Sequence, residues 1–335
     1  MKKKILVIGL GKQVMKDHLP AIRDNNQLEI VGLVDQNVPN LKLAAKEYGV
    51  PGFKSTKEAL SKVLTDCALV AVPHNQYFEI LTLLAENKIP TLKEKPIAMN
   101  LEEAERIIEL YRSNNTYLQI CVQRRFSNLY DTTKQLLNEI GSIYSLYAEY
   151  TLNLPSLDSS SIGWRANKDI SGGGATLDLG YHMIDLLINL FGEPDLLYAQ
   201  LNYNSLPGDY TIDDSVKAMF TFDNKINSNI LVTKIFGKKG ERIRIFGTKG
   251  FVYIDDRTVS LRNRDNDIIE SHSFNTKEHE VNNQLNYFIE NMHNKKMLDI
   301  KNNSILSDQL INMKVIDAIY RSDKIKKVMR FDNGN

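Results

Sequence analysis

The 335-residue sequence is poor in cysteine, with two, in tryptophan, with one, and in net charge, with 42 basic against 41 acidic residues and a formal balance of +1. Each scarcity excludes something. Cys67 and Cys121 lie far apart, each inside an apolar run and without CxxC or metal-ligand spacing, so they read as buried thiols in a reducing compartment. A balanced charge offers no electrostatic footprint for nucleic acid or an anionic membrane, and Lys238-Lys239 and the lysines between 324 and 327 read as solvated faces. No apolar run approaches the length that spans a bilayer. Met1-Lys2-Lys3-Lys4 opens like a signal peptide, but the apolar run at 5–10 is too short and Lys12 and Lys16 follow at once. The expectation is a cytoplasmic globular protein of two domains.

Residues 1–123 alternate short apolar runs with amphipathic segments, the pattern of βαβ units around a parallel sheet. Strands are predicted at 5–8, 28–34, 68–72, 91–92 and 118–122, with helices at 41–48, 56–63, 77–87 and 101–113 between them. Ile5-Leu6-Val7-Ile8 does not alternate, so this strand should be buried on both faces. Residues 124–335 behave differently. Segments 145–154, 215–222 and 229–236 are β-rich, with turn signals at Asp223-Asn224 and at 237–240. This half is expected to be an α+β domain with a mostly antiparallel sheet, one early helix at 175–191 and a closing helix at 306–320 that packs back toward the first domain.

Gly9-Leu10-Gly11 follows the first strand and opens a helix, with Lys12 and Gln13 beside it. The first glycine permits the tight turn and the second a close backbone approach by a pyrophosphate, which then meets the N–H groups at the helix start. The third position of the fingerprint is Val14 rather than glycine. Asp35 ends the second strand, where its carboxylate can accept the ribose hydroxyls of an adenosine. A 2′-phosphate would meet like charge there, so NAD is expected in preference to NADP.

Glu94-Lys95-Pro96 falls just after a short strand, at the carboxyl edge where doubly wound sheets place ligands. Lys95 there can hydrogen-bond a substrate hydroxyl or exchange a proton with it. Gly172-Gly173-Gly174 leads into a segment in which Asp178, His182 and Asp185 are spaced i, i+4 and i+7, one face of an α-helix. The triple glycine leaves room for substrate or backbone, and flanking carboxylates would orient His182 and raise its basicity. The same spacing suits a divalent metal as a rival reading, but His18, His74, His272, His279 and His293 sit in unrelated contexts, and no metal is expected.

Taken in order, these motifs resemble the Gfo/Idh/MocA family, whose members include glucose–fructose oxidoreductase and inositol 2-dehydrogenase. Val122-Gln123-Arg124-Arg125-Phe126 resembles its interdomain link, Gly247-Thr248-Lys249-Gly250 its late-strand turn, and Ala318 to Ser322 its closing helix. The resemblance implies a Rossmann domain, an open-faced antiparallel sheet, a homodimer or homotetramer, and hydride transfer at a secondary hydroxyl of a sugar or polyol. It makes Lys95 and His182 the catalytic pair, with Asp178 in support. It places Pro73, His74 and Asn75, together with Glu94 and Lys95, along the cofactor, and Arg124, Trp164 and Arg165 near the substrate. Pro73-His74-Asn75-Gln76-Tyr77 departs from the family's Pro-Asn pair with a downstream histidine. Two rivals accompany the dehydrogenase reading: a nicotinamide-assisted glycosidase, and a non-catalytic dinucleotide sensor that should have lost Lys95 or His182.

Overall fold

Strand β1 (Lys3–Ile8) is buried from Ile5 onward, as an apolar run without alternation requires. It pairs in parallel with β2 (Leu28–Val34) on one side and β4 (Cys67–Val70) on the other. With β3 (Gly52–Phe53), β5 (Thr91–Glu94) and β6 (Leu118–Cys121), the order is β3-β2-β1-β4-β5-β6, every pairing parallel. This is the doubly wound order whose direction reverses between β1 and β4. Three of its helices begin at side-chain caps: Asn37, Ser55 and Asn100 each accept a backbone N–H three residues on. The computed structural model describes residues 1–274 and 278–331.

The second sheet has nine strands. Residue ranges are β7 (Ile143–Asn153), β8 (Leu196–Asn202), β9 (Ser215–Phe222), β10 (Ile226–Thr233), β11 (Ile235–Gly247), β12 (Gly250–Asp255), β13 (Thr258–Asn263), β14 (Ile268–Ser273) and β15 (Met329–Arg330). Their order is β14-β13-β12-β11-β7-β10-β9-β8-β15, antiparallel except for β10 against β7. Strands β10 and β11 flank β7 on opposite sides, yet only Lys234 lies between them. Its carbonyl accepts the N–H of Leu154 where the chain crosses the end of β7. The expected turn at 237–240 is instead a bulge within β11, whose register against β7 shifts between Phe236 and Gly240. Gly237 supplies the positive φ there, which is why the segment looked like a turn.

The chain forms two compact units, one of residues 1–126 and 276–310, the other of 127–275 and 311–335. The single boundary expected at 123/124 is therefore joined by a return of the chain to the first unit. That return includes the helix Glu278–Asn291, which the sequence reading lacked along with the helix Asn128–Leu137. Val281, Leu285, Phe288 and Met292 pack in one core with Ile5, Val7, Leu19, Leu92 and Tyr117. The closing helix is longer than expected, Ser304–Ile325, and the division between units falls within it. Among the described residues no helix is long and apolar enough to cross a membrane.

Candidate nucleotide and substrate sites

The first glycine of the loop is required by geometry. Gly9 has φ +92°, and a Cβ there would run into the carbonyl of Ala71 beyond β4. Around Gly11, by contrast, a Cβ would meet nothing within 4 Å, so the backbone at the second glycine is open to a phosphate. The Asp35 carboxylate is held at this turn, accepting the N–H of Leu10 at 2.5 Å and of Asn37 at 2.6 Å. An open groove of about 500 Å³ borders it, lined by Leu10, Lys12, Met15, Lys16, Asn40 and Leu43. Gln13 is exposed and donates to Asp17 at 2.6 Å, so its amide is tied to its own helix. The Gly9→Ala variant is expected to lose about 1–3 kcal/mol of stability through strain at a positive φ and the Ala71 clash. Urea unfolding measures this, and an unchanged midpoint would mean that the turn relaxes.

The helix after the loop departs from regular winding. Val14–His18 forms a π turn before the α-helix Leu19–Asp24, with Val14 buried. Pro20 explains the interruption: it has no N–H for the carbonyl of Lys16 and its ring crowds that carbonyl. The turn carries His18 inward, and its Nε2 lies 2.7 Å from Glu94 Oε1, the two side chains 2% and 12% exposed. The other oxygen of Glu94 accepts the N–H of Lys95 at 3.1 Å. Burial alone would push the Glu94 carboxyl up, but the hydrogen bond from His18 and the nearby Lys95 ammonium hold it below its ordinary value. His18 was expected to be in an unrelated context, and this contact corrects that.

Lys93, also unforeseen, is fully buried. Its ammonium lies 3.2 Å from the centre of the Tyr77 ring and donates to the carbonyls of Glu94 (2.8 Å) and Pro96, binding both sides of the cis Lys95–Pro96 segment. Burial pushes its pKa well down, against the opposing pull of Glu94 and Glu103. His74 is buried and stacked on Tyr77 at 5.5 Å between centroids, while Asn75 is exposed and Pro73 half-buried. His18, Glu94 and Cys121 bring ligand atoms within 4.8 Å of one another, a set that suits a borderline-soft cation by type. However, Glu94 is already engaged by His18, the Cys121 thiol is pushed far up by burial, and Lys93 adds a cationic group alongside.

In the second unit Gly173 and Gly174 pack closely against a tyrosine side chain and a backbone segment rather than leaving an opening. Gly172 closes the short helix Lys168–Ser171 at φ +79°. A Cβ at Gly173 would collide with the Tyr320 hydroxyl and one at Gly174 with the Asp213 backbone. Asp213 is 1% exposed, and its carboxylate accepts Gly174 N–H and Thr176 N–H at 2.7 Å each and the Tyr320 hydroxyl at 2.8 Å. It thus caps the start of the helical segment that carries the candidate catalytic residues. That segment begins as a π turn, Thr176–Gly180, and continues as the α-helix Tyr181–Phe191. The one-face α spacing of Asp178, His182 and Asp185 is therefore interrupted at Gly180. Asp178 and His182 are half-buried whereas Asp185 is buried at 4% exposure. Lys234, 2% exposed, donates to Asp178 at 2.8 Å. Among the described residues, Asp178, His182 and Asp185 do not form a metal-sized cluster.

Residues 3–121 match the family described as an oxidoreductase family with an NAD-binding Rossmann fold, and residues 130–253 match the GFO/IDH/MocA C-terminal domain. The chain belongs to the Gfo/Idh/MocA oxidoreductase family. Glucose-6-phosphate 3-dehydrogenase of Bacillus subtilis (strain 168) is 28% identical to this oxidoreductase over 243 residues, covering 69% of this chain and 68% of that one. D-glucoside 3-dehydrogenase of Escherichia coli (strain K12) is 25% identical over 240 residues, covering 66% and 67%. A levoglucosan dehydrogenase, solved with NADH and levoglucosan, superposes with a TM-score of 0.84 over 98% of this chain and 99% of that one at 18% identity. That structure shares the fold: a Rossmann domain followed by a large open sheet.

Within this Gfo/Idh/MocA chain, the first unit brings Gly9, Leu10 and Gly11 together with Asp35, and Glu94 and Lys95 together with His18. The second joins Asp178 to Lys234 and stacks the Arg165 guanidinium 4.4 Å from the centre of the Trp164 ring. Arg124 stands in the 3₁₀ turn Gln123–Phe126, beside Arg125, which is committed to Asp308 at 2.6 Å and is therefore not spare charge for a ligand. The roles of His18, Asp213 and Lys234 went unseen in sequence because each partner lies on a distant element, and that of Lys93 because its burial depends on the packing around it.

Proposed function

We propose that the protein is an NAD-dependent dehydrogenase that oxidises a secondary hydroxyl of a sugar or polyol, or reduces the corresponding ketone. The observation that carries the reading is the glycine turn: Gly9 at a positive φ that only glycine takes without strain, Gly11 open, and the Asp35 carboxylate held beside them. Both oxygens of Asp35 keep lone pairs for the ribose hydroxyls, and a 2′-phosphate would face this charge. Gly9, Leu10, Gly11 and Lys12 would hold the pyrophosphate and Asp35 the adenosine ribose. Pro73, Glu94 and Lys95 would line the nicotinamide half, beyond the point where the strand order reverses. Bound nicotinamide supplies the hydride acceptor or donor.

The chain's own groups handle the proton. His182 accepts it from the substrate hydroxyl, and the Lys95 ammonium donates a hydrogen bond to the same oxygen as it becomes a carbonyl. Asp178, paired with Lys234, accepts from a neighbouring hydroxyl, with Trp164, Arg165 and Arg124 shaping the rest of the substrate site. The sugar class follows the relatives named as acting at C3 of glucosides and of glucose 6-phosphate. A homodimer or homotetramer is part of the reading: Tyr147 and Met219, 40% and 56% exposed, are both register partners of Asn229, on β7 and β9 either side of β10.

The test is to titrate purified protein with NADH and NADPH and then to screen sugars and polyols for oxidation with NAD. Tighter binding of NADH and a sugar-dependent rise in reduced cofactor are expected. Failure to bind either nucleotide would remove the proposal. In the Asp35→Ser variant, NADPH affinity should rise at least about tenfold relative to NADH, because like charge against the 2′-phosphate costs several kcal/mol. A ratio that stays put would take the cofactor choice away from Asp35.

A further inference from the structure

The contact between His18 and Glu94 is left over by this account. Both groups are nearly buried, they come from elements 76 residues apart, and neither is needed to bind a phosphate or take a substrate proton. Among the described residues, His18 Nδ1 is buried with no hydrogen-bond partner. A protonated ring would bury a second N–H without an acceptor, so Nε2–H donating to the carboxylate from a neutral ring is the arrangement the surroundings favour. The pair then carries one negative charge. Two cations flank it, and the His18 contact to the carboxylate involves neither ammonium. Lys93 is turned onto the carbonyls of Glu94 and Pro96 and the Tyr77 ring, with its proton affinity reduced by burial. Cys121 stays a neutral thiol, and Glu103 is occupied by the N–H of Met99 at 2.8 Å. Lys95 is the other cation, and its backbone N–H donates to the second oxygen of Glu94.

We propose that His18 and Glu94 work as a single unit, His18 orienting Glu94 so that a buried negative charge faces the nicotinamide end of the cofactor and favours its oxidised form. The inference rests on the nucleotide-binding reading above, which puts the nicotinamide at the carboxyl end of β5, where Glu94 stands. Oxidised nicotinamide is cationic and reduced nicotinamide is neutral, so a nearby carboxylate stabilises one and not the other. Glu94 touches the cofactor in this scheme, and His18 is a positioning residue acting through it. The consequence is a site whose bound cofactor is harder to reduce than it would be beside a neutral amide.

Equilibrium binding, independent of turnover, tests this. Kd for NAD⁺ and for NADH is measured by calorimetry on the full chain in the wild type, Glu94→Gln, His18→Leu and His18→Gln. In Glu94→Gln the ratio of Kd for NAD⁺ to Kd for NADH should rise about tenfold, the size expected for one charge felt across several ångströms of protein. His18→Leu should move the ratio in the same direction by less, and His18→Gln, which keeps a donor for Glu94, should restore most of it. If Glu94→Gln binds both forms with the wild-type ratio, or loses affinity for both equally, the charge role is wrong and the pair is structural. Should Glu94→Gln not fold, a wild-type ratio in His18→Leu overturns the proposal equally. Failure of the wild type to bind either nucleotide would instead strike the underlying function, so the two failures are distinguishable.

Discussion

Replacing His182 with alanine is expected to lower kcat about a hundredfold or more on any sugar the enzyme accepts, the usual loss when a positioned base is removed. Nucleotide affinity should hardly move, because His182 belongs to the second unit and the nucleotide residues to the first. The combination is diagnostic: a fall in turnover with unchanged Kd for NADH places the imidazole in the chemical step, whereas near-full activity would end its assignment as the base. His182 is a cleaner target than its neighbour Asp178. Deleting the Asp178 carboxylate would leave the Lys234 ammonium, 2% exposed, without this partner, so the loss would mix chemistry with an uncompensated buried charge.

The largest effect on stability is expected at Asp213. One buried carboxylate accepts three hydrogen bonds, from two backbone N–H groups at the start of a helical segment and from Tyr320 on the closing helix. Asp213→Ala would leave these donors buried without that acceptor, and about 3 kcal/mol or more should be lost. Denaturant unfolding gives the number. Because the same carboxylate fixes the entry of the segment that bears Asp178 and His182, folded variant protein should also lose activity. A midpoint shift under about 1 kcal/mol would show that water or a neighbouring group replaces the cap. The Tyr320 hydroxyl is pushed far above its ordinary pKa by burial and by Asp213, so it remains a donor throughout the working pH range.

The sequence showed the nucleotide half of the molecule well because its signals are local. The strand, the two glycines, the helix and Asp35 fall within one βαβ unit, and the parallel order follows from their alternation. The helix 278–291 was also legible in principle, through Val281, Leu285, Phe288 and Met292 at helical spacing, but its many asparagines obscured the pattern. What could not be read was pairing over distance. Asp213 meets Gly174 across 39 residues and Lys234 meets Asp178 across 56, and nothing in either local segment names the partner. The triple glycine illustrates the limit: its composition suggested room for a ligand or backbone, and the space is filled by the backbone of Asp213 and the ring of Tyr320. Pro20 and Gly180 were visible, but that each accompanies a π turn depends on the packing of the helix around it.

The return of residues 276–310 to the first unit sets an order of events during synthesis. When residue 126 leaves the ribosome the six strands of the parallel sheet exist, but one side of their core lacks Val281, Leu285, Phe288 and Met292. The 149 residues from 127 to 275 are made before that side can be covered, roughly ten to thirty seconds at ordinary elongation rates. For that interval the nascent chain exposes the apolar surface around Leu19 and Tyr117. The last part of the nucleotide-binding unit to be made is thus encoded after nearly all of the second sheet, so neither unit is inherited as an uninterrupted stretch of coding sequence.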